Sequence, residues 1–333
     1  MRSHRRQFVA LLAGAAVASL VSPLAARAQD GRVRRIGWFS SLPENDLYSK
    51  ARIAAFRVGL RKLGWVDGRN VQLDCRWGDG DVSHLQPLAV DLIRSAPDVI
   101  VAVAGTALST LSRDSTTIPI VFAQVPDPMA SGYVSSLSRP GGHITGFALF
   151  EFAVGVKWLE LLKELAPGTR RVALVYDPAN SNAPKFRDTI ASSAASFGVQ
   201  ITSASLRDGA EFERTLASFA GEPNGGLIVL PGPATAIHRD LTIALAAKFK
   251  LPAVYPYRYH VDSGGLAYYG IDEVDLYRQA ASYVDRILKG ERPGDLPIQF
   301  PTKFELVINL KTAKAFGIEP PIPLLARTDE VIE

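Results

Sequence analysis

From Arg34 onward, short apolar runs alternate with longer stretches in which apolar residues recur at helical spacing. That alternation predicts strand–helix repeats building a parallel sheet, because a strand covered on both faces reads as a continuous apolar run and a helix buries only a stripe. Strands are expected at 34–39, 70–76, 98–103 and 119–123. Helices are expected at 49–63, where Ile53, Phe56, Leu60 and Leu63 share a face and Gly64 ends the run, and at 84–95, with Leu85, Leu88, Leu92 and Ile93. After the Gly/Pro stretch 139–146 the pattern restarts, with strands at 171–175, 199–203, 226–230 and 252–255 and helices near 183–197, 209–220 and 234–249. A helix at 272–289, stopped by Gly290 and Pro293, and a strand–helix unit at 304–317 precede a Pro-rich tail. The expected fold is α/β: two doubly wound parallel-sheet lobes, 33–150 and 151–270, with a central ligand cleft. Residues 271–333 form a crossover helix and tail packing across both lobes, so the chain passes between them more than once.

In an open parallel sheet, ligands bind beyond the carboxyl ends of the strands. Residues just after strands are therefore the site candidates: Ser40, Ser41, Gly105, Thr106, Ala107, Gln124, Asp127, Tyr176, Asn180, Asn182, Pro231, Gly232, Tyr255 and Tyr257. Gly105-Thr106-Ala107 opens a helix after an apolar strand, which suits either capture of a carboxylate or plain capping by Thr106. Ser40 and Ser41 pose the same choice at another strand end. Asp127, held between two prolines, is placed to pair with a ligand ammonium or to cap a helix near Met129. The stretch 176–183 (YDPANSNA) suits polar contacts to a ligand or an Asx-type turn. Tyr255 and Tyr257, two residues apart, are expected to share a face toward the cleft.

Residues 1–28 change the charge picture. The chain carries 37 Lys+Arg against 33 Asp+Glu, but Arg2, Arg5, Arg6 and Arg27 lie in this acid-free segment, and the rest balances at 33 of each sign. No basic surface for nucleic acid follows from that balance. The segment itself reads as an export signal: a basic start, the uncharged run Val9–Val21, Pro23, and Ala26 and Ala28 in an A-x-A pattern that predicts cleavage after Ala28. Arg5-Arg6 with Phe8 resembles the twin-arginine signal. The mature chain is then expected free in a periplasm, without membrane insertion, as a monomer. Cys75, the one cysteine among 333 residues, cannot form an internal bridge and is expected on a strand, buried or half-buried.

No phosphate loop, dinucleotide loop, nucleophile elbow or H-E-x-x-H pair occurs, so no cofactor or metal is expected. His238-Arg239-Asp240-Leu241 matches the start of a kinase catalytic loop, but Leu245 stands where the metal-binding Asn belongs. The bland reading, a solvated helix face, is preferred. Three function classes remain: a solute receptor, an exported enzyme using Asp127 and a tyrosine as acid or base, and a ligand-sensing module.

The stretches 34–41, 56–71, 98–108, 118–146, 157–178, 283–317 and 324–333 together resemble the substrate-binding proteins of ABC importers, in the group labelled as tryptophan/tyrosine transport components. The resemblance spans nearly the whole mature chain and rests on the shared order of individually weak motifs. It implies a type I periplasmic-binding-protein fold with hinge crossovers and a small molecule held between the lobes. It also implies lobe closure, a motion established for periplasmic binding proteins as a class, and delivery to a permease and ATPase encoded separately. Gln124 stands where members of the group often carry a smaller residue.

Overall fold

The computed structural model describes residues 32–114 and 117–333; the expected export signal lies outside them. The first sheet holds β1 (Arg34–Ser40), β2 (Val71–Trp77), β3 (Val99–Val103), β4 (Ile120–Val125) and β5 (Ile144–Ala148), all parallel in the order β2-β1-β3-β4-β5. Its connections include α1 (Leu47–Lys62), α2 (Val82–Arg94) and α3 (Ala104–Leu111). Strands β3, β4 and β5 are buried along their whole length, which is why apolar residues fall on both faces, broken only by Gln124 in β4 and by Thr145 and Gly146 in β5. Asp46 starts α1 by accepting hydrogen bonds from the Tyr48 and Ser49 amides, and Asp81 starts α2 by accepting from Ser83.

The second lobe begins with α4 (Val154–Leu165) and continues through β6 (Arg171–Tyr176), α5 (Ala183–Ser193), β7 (Gln200–Ser205), α6 (Gly209–Ala220), β8 (Gly225–Val229), α7 (Pro233–Ile237), α8 (Arg239–Lys248), β9 (Ala253–Tyr255), α9 (Arg258–Asp262) and β10 (Ala267–Gly270). The chain then runs through α10 (Glu273–Leu288), β11 (Glu305–Asn309), α11 (Leu310–Phe316), α12 (Ile322–Leu325) and β12 (Glu330–Ile332). The 7-stranded second sheet has the order β12-β11-β10-β9-β8-β6-β7. Its β7-β6-β8-β9-β10 portion is parallel and repeats the strand order of the first sheet; β11 joins antiparallel to β10. Two doubly wound lobes of the same topology therefore follow one another.

Helix α10 returns to the first lobe, packing along α1 and against β3, β4 and β5. Beyond it, Gln299 bridges to Phe147 beside β5, and β11 and β12 then complete the second sheet. The lobes are thus joined by the segments 149–153, 271–272 and 300–304. Three local differences from the sequence reading have physical causes. Strand β5 begins inside the stretch that reads as a boundary, because Gly146 interrupts its apolar run. The 183–197 helix tightens to a 3-10 turn at Ala194–Phe197 before Gly198. The 234–249 helix breaks at His238, so the kinase-like tetrapeptide is the junction residue His238 followed by the first turn of α8. Cys75 sits half-buried in β2, where burial pushes its thiol up to about 12.

Candidate functional site

In the strand order 2-1-3-4-5, neighbouring strands leave in opposite directions between the first and third strands, and a crevice opens at their carboxyl ends. Each lobe has such a point, between β1 and β3 in one and between β6 and β8 in the other. One cavity joins them. After β1 it takes Ser41 and Leu42; after β3, Ala104, Gly105 and Thr106; after β6, Asn180 and Asn182; after β8, Pro231, Gly232 and Pro233. Gln124 enters from the end of β4 and Pro126 just after it, Tyr257 enters after β9, and Arg52 reaches in from α1. The cavity volume in this arrangement of the lobes is about 40 Å³.

Of the residues expected at this site, the structure brings Ser41, Gly105, Thr106, Gln124, Asn180, Asn182, Pro231, Gly232 and Tyr257 to the cavity wall. It places Ser40, Ala107, Asp127, Tyr176 and Tyr255 elsewhere. The Ser40 hydroxyl accepts from the Leu42 amide, 3.1 Å. Ala107 is fully buried in the first-lobe core. Asp127 accepts from the Ala130 amide at 2.9 Å and closes a turn rather than capping a helix. Tyr176 ends β6, partly buried against the core. Tyr255 is 1 % exposed, its ring stacked on His260 at 4.8 Å. In the stretch 176–183, Asp177 forms an Asx turn with the Ala179 amide, and Asn180 and Asn182 lie on the cavity wall.

Helix α3 begins at Ala104 with no side-chain cap, and Thr106 lies within its first turn. Its leading amides therefore face the cavity end without a side-chain acceptor. Gly105 is needed there: a Cβ would stand 2.5 Å from Asn182 Nδ2 of the opposite lobe. Ala104 and Gln124 adopt φ of 67° and 65°, a left-handed backbone that costs a non-glycine residue about 1–2 kcal/mol. At Gln124 the register between β4 and β5 also shifts, a bulge that re-aims its side chain.

Three residues missed by sequence reasoning, Arg52 on the wall and Glu273 and Tyr277 behind it, form a buried network with Gln124. Arg52, 3 % exposed, donates from Nη2 to Glu273 Oε1 at 3.1 Å. Gln124 Nε2 donates to Glu273 Oε2 at 2.6 Å, and the Tyr277 hydroxyl donates to Gln124 Oε1 at 2.7 Å. The Arg52 guanidinium lies 5.7 Å from the Tyr277 ring centroid. Burial raises the Glu273 carboxyl above the usual carboxylate range, opposed by Arg52. Burial also disfavours the Arg52 charge, but Glu273 together with Tyr277, Tyr259 and Tyr257 more than offsets it and holds that pKa above its ordinary value. Burial pushes the Tyr257 phenol up, so it stays neutral. Arg52 was legible as one more helix cation, with no local signal that it turns inward.

The two lobes touch around this cavity. Arg239 of α8 donates to Asp46 Oδ2 at 2.9 Å, and its guanidinium lies over Tyr48 and Tyr259, whose rings are 4.0 Å apart. On the other side, the Ser131 hydroxyl donates to Asn182 Oδ1 at 3.2 Å and Lys185 Nζ to the Ala130 carbonyl at 2.5 Å.

The comparisons agree with this architecture. A curated relative, the tyrosine-binding protein of Clostridioides difficile, is 26% identical over 286 residues, 84% of this chain and 80% of that one. A crystal structure of a conserved domain protein from Vibrio cholerae aligns with a TM-score of 0.83 at 27% identity, over 90% of this chain and 100% of that one. The structure of an ABC domain from Streptococcus pneumonia in complex with L-Trp aligns at 0.82 with 23% identity and the same coverage. Residues 47–332 match the model of the family described as ABC transporter substrate binding protein; with its paired lobes and a cavity built from both, the chain belongs to that family.

Proposed function

We propose that this chain is the exported receptor of an ABC importer, holding a small amphipathic solute between its lobes and presenting the closed form to a permease and ATPase encoded separately. An aromatic amino acid is the first candidate, since relatives are named for tyrosine or hold L-Trp. The observation that carries the reading is one cavity built from both crevices at once, with both lobes in contact around it. The wall residues Ser41, Gly105, Thr106, Gln124, Asn180, Asn182, Pro231, Gly232 and Tyr257 are the proposed ligand contacts, joined by Arg52.

A noncatalytic role is supported by the same wall. Among the described residues it presents no carboxylate, thiol or imidazole, and the Tyr257 phenol is held neutral. Asp127, the acid an enzyme would use, is committed to its turn. Work outside the cytoplasm, export through residues 1–28 with cleavage after Ala28, and a monomeric mature form belong to the same proposal.

The test is mass spectrometry of the solute that co-purifies with natively prepared protein, followed by calorimetry with that compound and with L-tyrosine and L-tryptophan. Stoichiometric binding, with the compound recovered unchanged, is expected. A recovered compound that the protein converts would overturn the reading, as would failure to bind any recovered or added solute.

A further inference from the structure

The charge pattern of the cavity wall defines the ligand more narrowly. Resting on the solute-site reading above, we propose that the cavity grips its ligand by a carboxylate, with Arg52 as the gripping residue, and makes no ion pair to an ammonium. The ligand class is then amphipathic carboxylic acids, of which amino acids are only one subset.

Among the described residues Arg52 is the one charged residue on the wall, and no Asp or Glu lines it. A guanidinium carries five N–H donors in a rigid fork. Among the described residues Arg52 donates only to Glu273, and its Nε, buried, has no partner. A buried donor left unmet is costly, whereas a carboxylate supplies lone pairs in the plane and spacing that match the fork. The uncapped start of α3, from Ala104 to Thr106, lines the same cavity and favours the same charge.

The acid behind the wall is already engaged. One Glu273 oxygen accepts from Arg52 and the other from Gln124, whose own carbonyl accepts from Tyr277. Glu273 is therefore placed to hold the guanidinium in position and not to receive a ligand ammonium. Asp127, the acid at the end of β4, lies off the wall with its Oδ1 bonded to the Ala130 amide.

Six probes test this by calorimetry: L-tryptophan, L-tyrosine, their des-amino acids indole-3-propionate and 3-(4-hydroxyphenyl)propionate, and the decarboxylated amines tryptamine and tyramine. The des-amino acids are expected within about 10-fold of the amino acids, and the amines about 100-fold weaker or more. Two variants separate gripping from structure. E273Q keeps the guanidinium and should keep the acid-over-amine preference. R52M/E273Q removes the buried pair as a unit, leaving no unpaired charge, and should lose acid binding by about 30-fold or more while its far-ultraviolet circular dichroism stays that of the wild type. Amines binding wild type as well as acids do, or a folded R52M/E273Q binding acids unchanged, would overturn the inference and leave the solute-site reading standing. Wild type binding none of the six would overturn the aromatic-solute reading together with the inference. Should R52M/E273Q not fold, the wild-type acid-to-amine ratio decides alone.

Discussion

His260 has the most to lose on acidification. It is fully buried, stacked between Tyr255 and Tyr259 with its Nδ1 3.2 Å from the Tyr257 carbonyl and its Nε2 unpartnered. Burial lowers its pKa to about 3, and the nearby Arg239 charge acts in the same direction. An unfolded histidine titrates near 6.5, so between these values the unfolded chain binds the extra proton; stability is whole above about pH 6.5 and drains as pH falls toward 3. Urea unfolding at pH 7 and 4.5 should show a wild-type loss about 2–3 kcal/mol larger than that of His260→Phe, and parallel losses would refute the assignment. The same neighbourhood shows how far residue-level reading reaches. Tyr257 was legible because polar and aromatic groups after a strand face the crevice. Tyr255 was not, because β9 ends there and Pro256 follows, so the two-residue alternation that would place both rings on one face stops. Arg52, Glu273 and Tyr277 lie on helices, and their direction is set by a partner helix far away in the sequence.

Among the elements, α10 shows most clearly what periodicity leaves open. Its apolar stripe and its Asp272 cap announce a helix, but nothing local says that it packs on α1 while β10 before it and β11 after it belong to the other sheet. The repeated strand order and most helices were legible because buried strands and striped helices write their burial into composition. Strand β5, interrupted by glycine, and the three-residue β12 were not. The α1–α10 contact depends on Gly59, where a Cβ would stand 2.6 Å from the Arg278 carbonyl oxygen and 2.7 Å from Ala281 Cβ. It is reinforced by Trp65 Nε1 donating to Asp285 at 2.8 Å. Both obstacles are backbone or the root of a side chain, so Gly59→Ala must move a helix. A thermal melt without ligand should show a loss of about 1–3 kcal/mol, roughly 1.5–5 °C at this chain length. An unchanged midpoint would mean that the helices do not pack this closely.

At the scale of the whole molecule, a binding protein's affinity is its intrinsic grip multiplied by the fraction of molecules in the gripping form, so contacts between lobes count even where no ligand touches them. Arg239 is such a contact. It bonds Asp46 across the lobes and lies over Tyr48 and Tyr259, with the ion-pair side chains only 19% and 12% exposed, sheltered enough to escape most solvent screening. It is absent from the cavity wall, so its removal should cost closure and not recognition. Arg239→Ala is expected to weaken every bound solute by a common factor of about 5–30, chiefly through faster release, with the acid-over-amine ratio unchanged. Solution scattering without ligand should shift toward a larger radius of gyration. Asp46→Asn keeps the cap acceptor for Tyr48 and Ser49 while removing the charge, so the double variant should be little worse than Arg239→Ala alone. A factor that differs between solutes would mean that Arg239 reaches the ligand. Full additivity of the two changes would mean that the ion pair does not hold the lobes together, and closure would then have to rest on the Ser131–Asn182 and Lys185–Ala130 contacts at the opposite side of the cavity.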